Sequence, residues 1–600
     1  NGGKVIAWGT ESAQVHGSIS ARGGTQGGDG GFVETSGRYL AVDAIRVDTS
    51  ARAGRGKRGN WLLDPYDIDV VQGAGGSLGD VDQFAEGPPA TSTSIGADVI
   101  SNASSNVTLQ ALHRINFSSA VNMVNAGVGL SATAGETINV YAAISTNGGN
   151  VNLSANDASS GAALGLGSNI NLAAPVSTHG GNISLSGASI TGAGVLNPGN
   201  GNLSLRANLA AGDIHLTGSG SQLVASGVGG QSITLQADSI TLAGGIQAGG
   251  TAGGANVTIK PLSSARAIDL GSKSGTALGL STAELAGISA ASLTIGDGTN
   301  TGGILISDAL TTAGDLRFNS ASAITATAAV SVGGQFALDG GAWTQNAPAL
   351  AAFSARGFSI APGASFLRVT GGDGGTATPY LIADIYGLQG IGSLGLGNSY
   401  RLGGNIDASG TLNWNQGTGF VPIASGDGAG YAGLFDGGGF SINGLYINAA
   451  NASVTSGVGL FGKLQGGTVQ NLGLQNGRVT GSNNVGAVAG ISLGGTLENI
   501  HSGTAVVGAN TAGGLVGSNG GSVRNASASG DVAGVNADNA GNIGGLAGMN
   551  QAGASITASY ATGSVTGARA NIGGLVGHNA GAVTQSYAAG AVSGAANIGG

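Results

Sequence analysis

A glycine-rich phrase recurs through the last quarter of the chain. NIGGLVGHNAG stands at 571–581, a close copy, NIGGLAGMNQAG, at 542–553, and a looser form, GGLVGSNGG, at 513–521. The spacings between the last glycines of successive core phrases are 28, 27, 31 and 29 residues, counted over Gly462, Gly490, Gly517, Gly548 and Gly577. A repeat of this length is one supersecondary unit that cannot cover its own apolar side. The phrase therefore predicts units that stack on one another.

Each repeat offers short strands between glycine corners. A second strand start follows every phrase, at Val469, Leu497, Val523, Ile556 and Val583. In the last three copies a third follows, at Val532, Val565 and Val592. One repeat therefore predicts one coil of a parallel β-helix. Stacked coils would form core columns of Leu515, Leu546 and Leu575 and of Val523, Ile556 and Val583, and an amide ladder of Asn519, Asn550 and Asn579.

The same rhythm, less regular, runs through the upstream chain. VHGSISARGG at 15–24 alternates with the period of a strand, and ISTNGGNVNLSA at 144–155 and VSTHGGNISLSG at 176–187 each read as two strands joined by a corner. The best candidate for a helix is the alanine-rich APALAAFSARG at 347–357. The sequence thus predicts an all-β parallel β-helix, and about twenty-five coils rising ~4.8 Å each would make an elongated rod on the order of 120 Å long.

Composition excludes several other classes of protein. Hydrophobic residues reach 41%, too many for a disordered chain, and the 120 glycines lack the three-residue period of collagen. A net charge of −9 gives no cationic field for nucleic acid, and no apolar run is long enough for a transmembrane helix. Cysteine is absent, which removes disulfides and thiolate metal sites. The chain opens without Met and closes inside the repeated phrase, so we expect a segment of a longer protein.

Two regions resemble known families. GGKVIAWGTESAQVHGSISARGGTQGGDGGFVETSG through NWLLDPYDIDV, in the first seventy residues, is similar to filamentous-haemagglutinin-type exoproteins, the large adhesins that Gram-negative bacteria export by two-partner secretion. YLIADIYGLQGI, YRLGGNIDASGTLNWNQGTGFVPI and GLFDGGGFSINGLYI, from about residue 380 onward, resemble the lead-in to GLUG-motif repeats, and 457–600 resembles the repeats. The resemblance implies a right-handed β-helix and an outer-membrane pore partner, which would act through an N-terminal secretion domain not contained in this sequence.

These patterns predict four regions: a haemagglutinin-like segment at 1–75, irregular coils at 76–335, an aromatic-containing junction and GLUG lead-in at 336–456, and a GLUG-like array at 457–600. The aromatic residues of the junction either line a carbohydrate groove or pack its core. They include Phe336, Trp343, Phe353, Tyr380, Tyr386, Tyr400, Trp414 and Phe420.

Charged residues offer two candidate sites. Asp67 and Asp69 would share a strand face, with Asp64 just before, and three such carboxylates either bind calcium or lie on a solvated strand face. The densest positive charge lies at 52–58 and either contacts sulfated glycans or lipopolysaccharide or keeps a loop soluble. It comprises Arg52, Arg55, Lys57 and Arg58.

Other motifs give weaker signals. The six histidines (His16, His113, His179, His215, His501, His578) lack metal-ligand spacing. Nine Asn-x-Ser/Thr sequons occur, among them Asn152, Asn182, Asn202 and Asn256, and an alternating Asn/Leu/Ser strand produces most of them by chance. No nucleophile elbow or phosphate loop appears, and carboxylates are too dispersed for a typical glycosidase face. We therefore expect no catalytic, cofactor-binding or metal site.

The sequence predicts a segment of a secreted or surface-displayed adhesin, associated with the outer membrane of a Gram-negative bacterium, that acts as a β-helical stalk rather than as an enzyme. Its ligand, a host or surface glycan or protein, is not predicted. Two alternatives stay open: a polysaccharide-degrading or proteolytic exoenzyme on the same fold, and the stalk of a contact-dependent toxin or haem-acquisition protein.

Overall fold

Short parallel strands make up most of the chain. The computed structural model describes residues 1–52, 55–73, 92–158, 165, 167–220, 222–225, 229–249, 254–426, 428–449, 457–535, 541–567, 570–594 and 597–599. The chain forms two compact units, Asn1–Ser322 (unit 1) and Ala323–Gly600 (unit 2). Within each unit, strands pair in parallel with strands of the next coil. The predicted all-β parallel β-helix is confirmed.

Unit 1 has three strand faces, numbered in the order in which a coil meets them. Face 1 contains Lys4–Gln14, Phe32–Ala41, Asn60–Asp64, Asn106–Ala111, Leu130–Ala134, Val151–Ser154, Ile183–Gly187, Leu203–Ala207, Ser232–Gln236, Asn256–Lys260, Ser292–Ile295 and Asp315–Phe318. Face 2 contains Ile68–Val71, Thr93–Gly96, Arg114–Phe117, Thr137–Val140, Ile170–Leu172, Ile190–Gly192, Asp213–Leu216 and Ser239–Leu242. Face 3 contains Val121–Met123, Ile144–Thr146, Val176–Ser177, Leu196–Asn197, Leu223–Val224, Ile246–Gln247 and Ile288–Ser289.

Unit 1 also holds strands outside these faces and two short helices. Ser18–Ser20 pairs with Arg46–Asp48, and Ala267–Gly271 pairs with both Ala277–Ser281 and Ile304–Ile306. The remaining elements are the strand Leu310–Thr312 and the helices Ala97–Ser101 and Thr282–Ala286.

Alternating side chains explain these strands. In Leu130–Ala134, Leu130, Ala132 and Ala134 are buried, whereas the polar residues between them are half-buried. Corners fall where the backbone must take a positive φ: Gly148 has a φ of 82° and His179 one of 53°. The predicted strand–corner–strand phrases at 144–155 and 176–187 are therefore confirmed.

Unit 2 begins with less regular coils and continues into the repeats. The irregular part contains Ala323–Ala326, Val330–Leu338, Ala342–Asn346, Phe353–Ile360 and Ser365–Val369. One long-faced sheet then contains Tyr380–Ile382, Tyr400–Leu402, Ile406–Asp407, Leu434–Asp436, Ser441–Asn443, Phe461–Gln465, Thr468–Gln475, Ala489–Ser502, Val516–Arg524, Ser527–Ala528, Ala547–Asn550, Ser555–Thr557, Tyr560–Ala561, Val576–Asn579, Ala582–Thr584 and Tyr587–Ala588.

Two further faces complete the repeats of unit 2. One contains Tyr446–Ala449, Arg478–Gly481, Ala505–Gly508, Val532–Gly534, Val565–Gly567 and Val592–Gly594. The other contains Val485–Gly486, Thr511–Gly513, Gly541–Gly544, Ala570–Gly573 and Ile598–Gly599. The predicted third strands at Val532, Val565 and Val592 pair with one another in this order, so three strands per coil is confirmed.

The predicted helix at 347–357 is wrong. Its second half belongs to the strand Phe353–Ile360, where the ring of Phe353 is buried. Helices of unit 2 lie instead at Ile385–Gly390, with 3₁₀ turns at Ile391–Ser393 and Ser409–Gly417. None of the helices in the described ranges has the length and apolarity needed to cross a bilayer. The predicted boundaries of the four regions stay predictions.

Candidate functional site

The repeat array stacks its apolar residues in the predicted columns. The main-chain N–H of Leu515 donates to the carbonyl of Leu546, and Leu546 donates in turn to Leu575, both at 2.9 Å. Val523 pairs with Ile556, which pairs with Val583. Both columns are confirmed. The apolar part of the phrase is thus used for packing between coils.

The predicted asparagine ladder is present. The Asn519 Nδ2 donates to Asn550 Oδ1 at 2.9 Å, and the Asn550 Nδ2 donates to Asn579 Oδ1 at 2.8 Å. Asn519 and Asn550 are completely buried, and the N–H of Gly521 also donates to Asn519 Oδ1. We call this set the inner ladder. A buried amide must find partners, and a copy of itself one coil away supplies them.

The carboxylates at 64–69 do not share a solvated face. Asp67 precedes the strand Ile68–Val71, is only 5% exposed, and accepts a hydrogen bond from the N–H of Arg114 at 3.1 Å. Burial raises the pKa of Asp67, against the opposing effects of Arg114 and His113. Among the described residues, no three His, Asp or Glu are grouped so that they could hold a metal ion.

Asp69 begins a second amide ladder, on face 2. Its Oδ1 accepts from Asn116 Nδ2 at 2.6 Å, and its other oxygen accepts from the hydroxyl of Ser92. The chain of amides continues from Asn139 to Asn116 at 2.7 Å and from Asn171 to Asn139 at 2.6 Å. We call this set the outer ladder, since its members are half-buried. Asp69 therefore has a structural role as the acceptor that starts the ladder.

The basic cluster is divided between structural and exposed side chains. Arg58 donates to the carbonyls of Ser104 and Ala126, at 2.5 and 3.2 Å, and Arg52 donates to the carbonyl of Thr25 at 2.9 Å. Arg52, Arg55 and Lys57 are exposed, whereas Arg58 is half-buried. The loop leads into the strand Asn60–Asp64 as predicted, although part of it, 53–54, lies outside the described residues.

The histidines occupy separate positions. His113 lies edge-on to Tyr66, with ring centroids 4.6 Å apart, and its Nδ1 is 3.9 Å from Asp67. His501 contacts Ser527, and His179 contacts the carbonyl of Thr146. His578 is exposed and pairs with Met549, in the variable slot of the phrase.

The aromatic residues of 336–446 pack against one another inside unit 2. Phe336 stacks on Phe358 with ring centroids 5.4 Å apart, and Trp343 stacks on Phe366 at the same distance. All four rings are completely buried, as is Trp414 apart from 1% of its surface. Core packing rather than a carbohydrate groove therefore explains this cluster.

Two of the sequon asparagines have a structural role. Asn182 and Asn202 stand at the corner before face 1, where each side chain accepts the main-chain N–H of the next coil at 2.8 Å. Asn150 does the same without being a sequon, since its Oδ1 accepts from the N–H of Asn182. The corner selects asparagine, and the alternating Ser or Thr two positions later completes the motif.

One recess lined by aromatic and charged side chains lies on the outer side of unit 1. We call it the N-terminal cleft; its volume is about 410 Å³. Sequence reasoning did not identify it, because its residues come from four separate stretches of chain. They are Trp8, Gly9, Thr10, Glu34, Ser36, Gly37, Arg38, Asp64, Pro65, Tyr66, Gln110, Ala111 and Leu112.

Comparisons with known proteins match only parts of the chain. The model of the GLUG motif matches residues 508–533, inside the predicted array. Halomucin from Haloquadratum walsbyi is 42% identical over 169 residues, which are 27% of this chain but 2% of halomucin. This chain therefore corresponds to a very small share of that relative. Both findings fit a cell-surface or secreted β-helical repeat protein.

One solved structure, of a candidate immunoglobulin A1 protease from Bacteroides ovatus, is similar over 37% of this chain and 69% of its own. Its identity to this chain is 24%, with a TM-score of 0.31. At these values the likeness says nothing about the activity of this chain.

Proposed function

We propose that this chain is a segment of an adhesin, in which the β-helix is a stalk that displays its outer surface for attachment. The observation that carries the proposal is the inner ladder and the core columns beside it, because they commit the repeated phrase to packing between coils. A protein built this way gains reach with each repeat. The haemagglutinin-like first seventy residues support attachment as the use of that reach.

We further propose secretion through an outer-membrane two-partner-secretion pore of a Gram-negative bacterium, by way of a domain that precedes this sequence. Antibodies raised against 457–600 should label intact cells of the source organism. Deletion of the pore gene should abolish this labelling. Labelling that requires permeabilised cells would overturn surface display, and labelling that survives the deletion would overturn the pore.

Attachment itself can be tested with the purified 600-residue chain on inert beads. Beads carrying folded chain should bind to cell monolayers above the level of beads carrying heat-unfolded chain. Binding no better than the unfolded control would contradict the adhesin proposal. In this proposal the chain acts by display, without catalysis, cofactor or metal.

A polysaccharide-degrading exoenzyme is the second candidate, and one feature favours it. Glu34 and Asp64 line the same cleft. Burial raises the pKa of Asp64, and the negative charge of Glu34 raises it further. A carboxyl group whose pKa is raised, in the same cleft as a second carboxyl group, is suited to act as the acid in cleavage of glycosidic bonds. Release of reducing ends from a polysaccharide panel, lost in the Asp64→Asn variant, would establish this candidate; no release would leave display as the function.

A further inference from the structure

The N-terminal cleft is formed by an irregularity in the strands. Lys4–Gln14 and Phe32–Ala41 pair in register up to Gly9 and Gly37, and the register then shifts between Gly9 and Ser12. Such a bulge locally bends a strand and redirects its side chains. Gly9 is required there, since an added Cβ would lie 2.1 Å from the carbonyl oxygen of Ser12. The recess is therefore built into the fold.

Trp8 supplies an exposed aromatic wall of the cleft. Its neighbours in the strand alternate, so that Trp8 lies on the outward side, and 67% of its surface is accessible. Beneath it lies the paired residue Ser36, which is 3% exposed although it too is on the outward side. The exposed tryptophan ring presents a flat apolar face on which a ligand can pack.

Tyr66 stands on another wall of the cleft and is held in place by its neighbours. His113 contacts its ring edge-on at 4.6 Å, and the Arg38 guanidinium carbon lies 5.6 Å from its ring centroid. The Tyr66 side chain remains 37% exposed. Because these contacts fix the ring in advance, a ligand that packs against it would lose little entropy in ordering it.

The carboxylates of Glu34 and Asp64 line the same cleft as the rings of Trp8 and Tyr66. The Glu34 carboxylate is oriented by the hydroxyl of Ser36, which donates to it at 2.9 Å. No donor within the described ranges of the chain bonds to the Asp64 carboxylate, which leaves its oxygens free for the hydroxyl groups of a ligand. Gln110 adds an amide, which can both donate and accept.

Charge restricts what this cleft can accept. Glu34 and Asp64 are both acidic. The cleft is also lined by the cation Arg38, but its guanidinium already lies 3.7 Å from the Glu11 carboxylate. Sulfated, phosphorylated or sialylated ligands would therefore be repelled. The volume of about 410 Å³ falls within the range of about 300–1,000 Å³ that small-molecule sites occupy.

We propose that the N-terminal cleft binds a neutral hexopyranose residue of an oligosaccharide, with a C–H face of the ring on Trp8 and hydroxyl groups donating to Asp64 and Glu34. A pyranose combines an apolar face with a rim of hydroxyl donors, which is the combination that this cleft complements. The inference rests on the proposed attachment function and names the class of ligand.

The test is a glycan array and calorimetric titration with the whole 600-residue chain. The neutral probes are oligosaccharides that end in glucose, galactose, mannose or N-acetylglucosamine, and the anionic probes are sialyllactose and a heparin tetrasaccharide. We expect binding of at least one neutral probe and of neither anionic probe. Binding confined to the anionic probes, or to none, would overturn the proposal. So would neutral binding that disappears on adding EDTA, because a metal ion would then make the contacts.

Two variants locate the binding. Trp8→Ala should weaken the neutral probe by at least about tenfold, as truncation of a central aromatic contact usually does. Asp64→Ala should weaken it by a similar factor. Tyr141→Ala is the matched control, since Tyr141 is 58% exposed but lies outside the cleft, and it should leave affinity unchanged. Equal affinity in the control and in both cleft variants, with unchanged circular dichroism, would place the sugar elsewhere.

Failure of this inference can be told apart from failure of the proposed function. If beads attach to cells while the purified chain binds no neutral sugar, the proposed sugar site is wrong and the adhesin proposal stands. If the chain binds a neutral sugar but the beads do not attach, the sugar site stands and the adhesin proposal is wrong.

Discussion

The repeat array and the irregular coils of unit 1 use asparagine in different ways. In the array, the inner ladder is completely buried at Asn519 and Asn550, and successive members lie 31 and 29 residues apart. In unit 1, the outer ladder is half-buried, and the corner asparagines are exposed and lie 32, 20 and 30 residues from their partners. The array thus holds one completely buried ladder beside amide pairs nearer solvent, such as Asn571 with Asn542 and Asn499 with Asn471. The asparagine contacts just named in unit 1 all lie near solvent.

This difference indicates where a ligand can bind. Coils of nearly constant length place like residues above one another, and these satisfy each other's hydrogen bonds. Beside the strand bulge between Gly9 and Ser12 in unit 1, unlike residues such as Trp8 and Asp64 line one cleft. Binding is therefore expected at this cleft of unit 1, with the array as support.

The largest effect should come from the core of the array. Leu546→Ala removes a completely buried side chain between Leu515 and Leu575 and should lower the free energy of unfolding by about 2–5 kcal/mol. Leu205→Ala, in an equally buried column of unit 1, should cost a similar amount. Urea unfolding followed by circular dichroism measures both. A loss below about 1 kcal/mol in the array alone would break the view that its phrase serves packing.

The next effect separates the two ladders. Asn550→Ala leaves the Asn519 amide and the Asn579 carbonyl without their partners, and should cost about 1–3 kcal/mol because Asn519 is buried. The matched change in the outer ladder, Asn139→Ala, should cost less than about 1 kcal/mol, since water can replace the lost amide there. Equal losses in urea titrations would mean that burial does not distinguish the ladders.

A pH-dependent effect is expected in unit 1. Burial raises the pKa of Asp67 above its ordinary value, so the folded chain holds this proton more tightly than the unfolded chain. Its contribution to stability is complete below the unfolded pKa and is lost as pH rises through the folded pKa. Asp67→Asn keeps an acceptor for the N–H of Arg114 and removes the buried charge. The Tm of the variant relative to wild type should therefore be higher at about pH 7 than at about pH 3.

If thermal scans at the two pH values give the same difference in Tm, Asp67 is not held in a desolvated state. The matched control is Asp43→Asn, which changes a half-buried carboxylate outside the core. No comparable shift in Tm is expected for Asp43→Asn.

The smallest effect concerns the charges on the array. Arg524 and Glu498 form an ion pair at 2.9 Å between adjacent coils, with 51% of the Arg524 side chain exposed. Such exposed pairs contribute little, so Glu498→Gln should change the free energy of unfolding by less than about 0.5 kcal/mol. A loss comparable with that of Asn550→Ala would show that surface charge, not the inner ladder, holds these coils together.

The sequence predicted the packing of the array well, because a repeat shows which residues of successive coils lie next to one another. Leu515, Leu546 and Leu575 align simply because the phrase recurs, and the inner ladder follows from the same alignment. A regular period carries long-range information that a single strand does not.

The N-terminal cleft could not be predicted in the same way. In KVIAWGT, both alternating faces of the strand are apolar, so the pattern does not say that Trp8 rather than Val5 faces outward. Asp67 was expected on a solvated face for a related reason, since strand alternation does not reveal that the neighbouring coil covers this carboxylate and donates the N–H of Arg114 to it. The short helix Thr282–Ala286 did carry a signal: Ser281 and Glu284 form a capping box, with the Ser281 N–H donating to Glu284 at 2.8 Å.

The central claim is that the repeated phrase builds the stalk and that attachment belongs to the N-terminal cleft of unit 1. The most direct measurement compares bead attachment to cells for wild-type chain, Trp8→Ala and Tyr587→Ala, the last being an exposed ring on the array. We predict that Trp8→Ala loses attachment and that Tyr587→Ala keeps it. Loss with Tyr587→Ala and full attachment with Trp8→Ala would place binding on the repeats and contradict the claim.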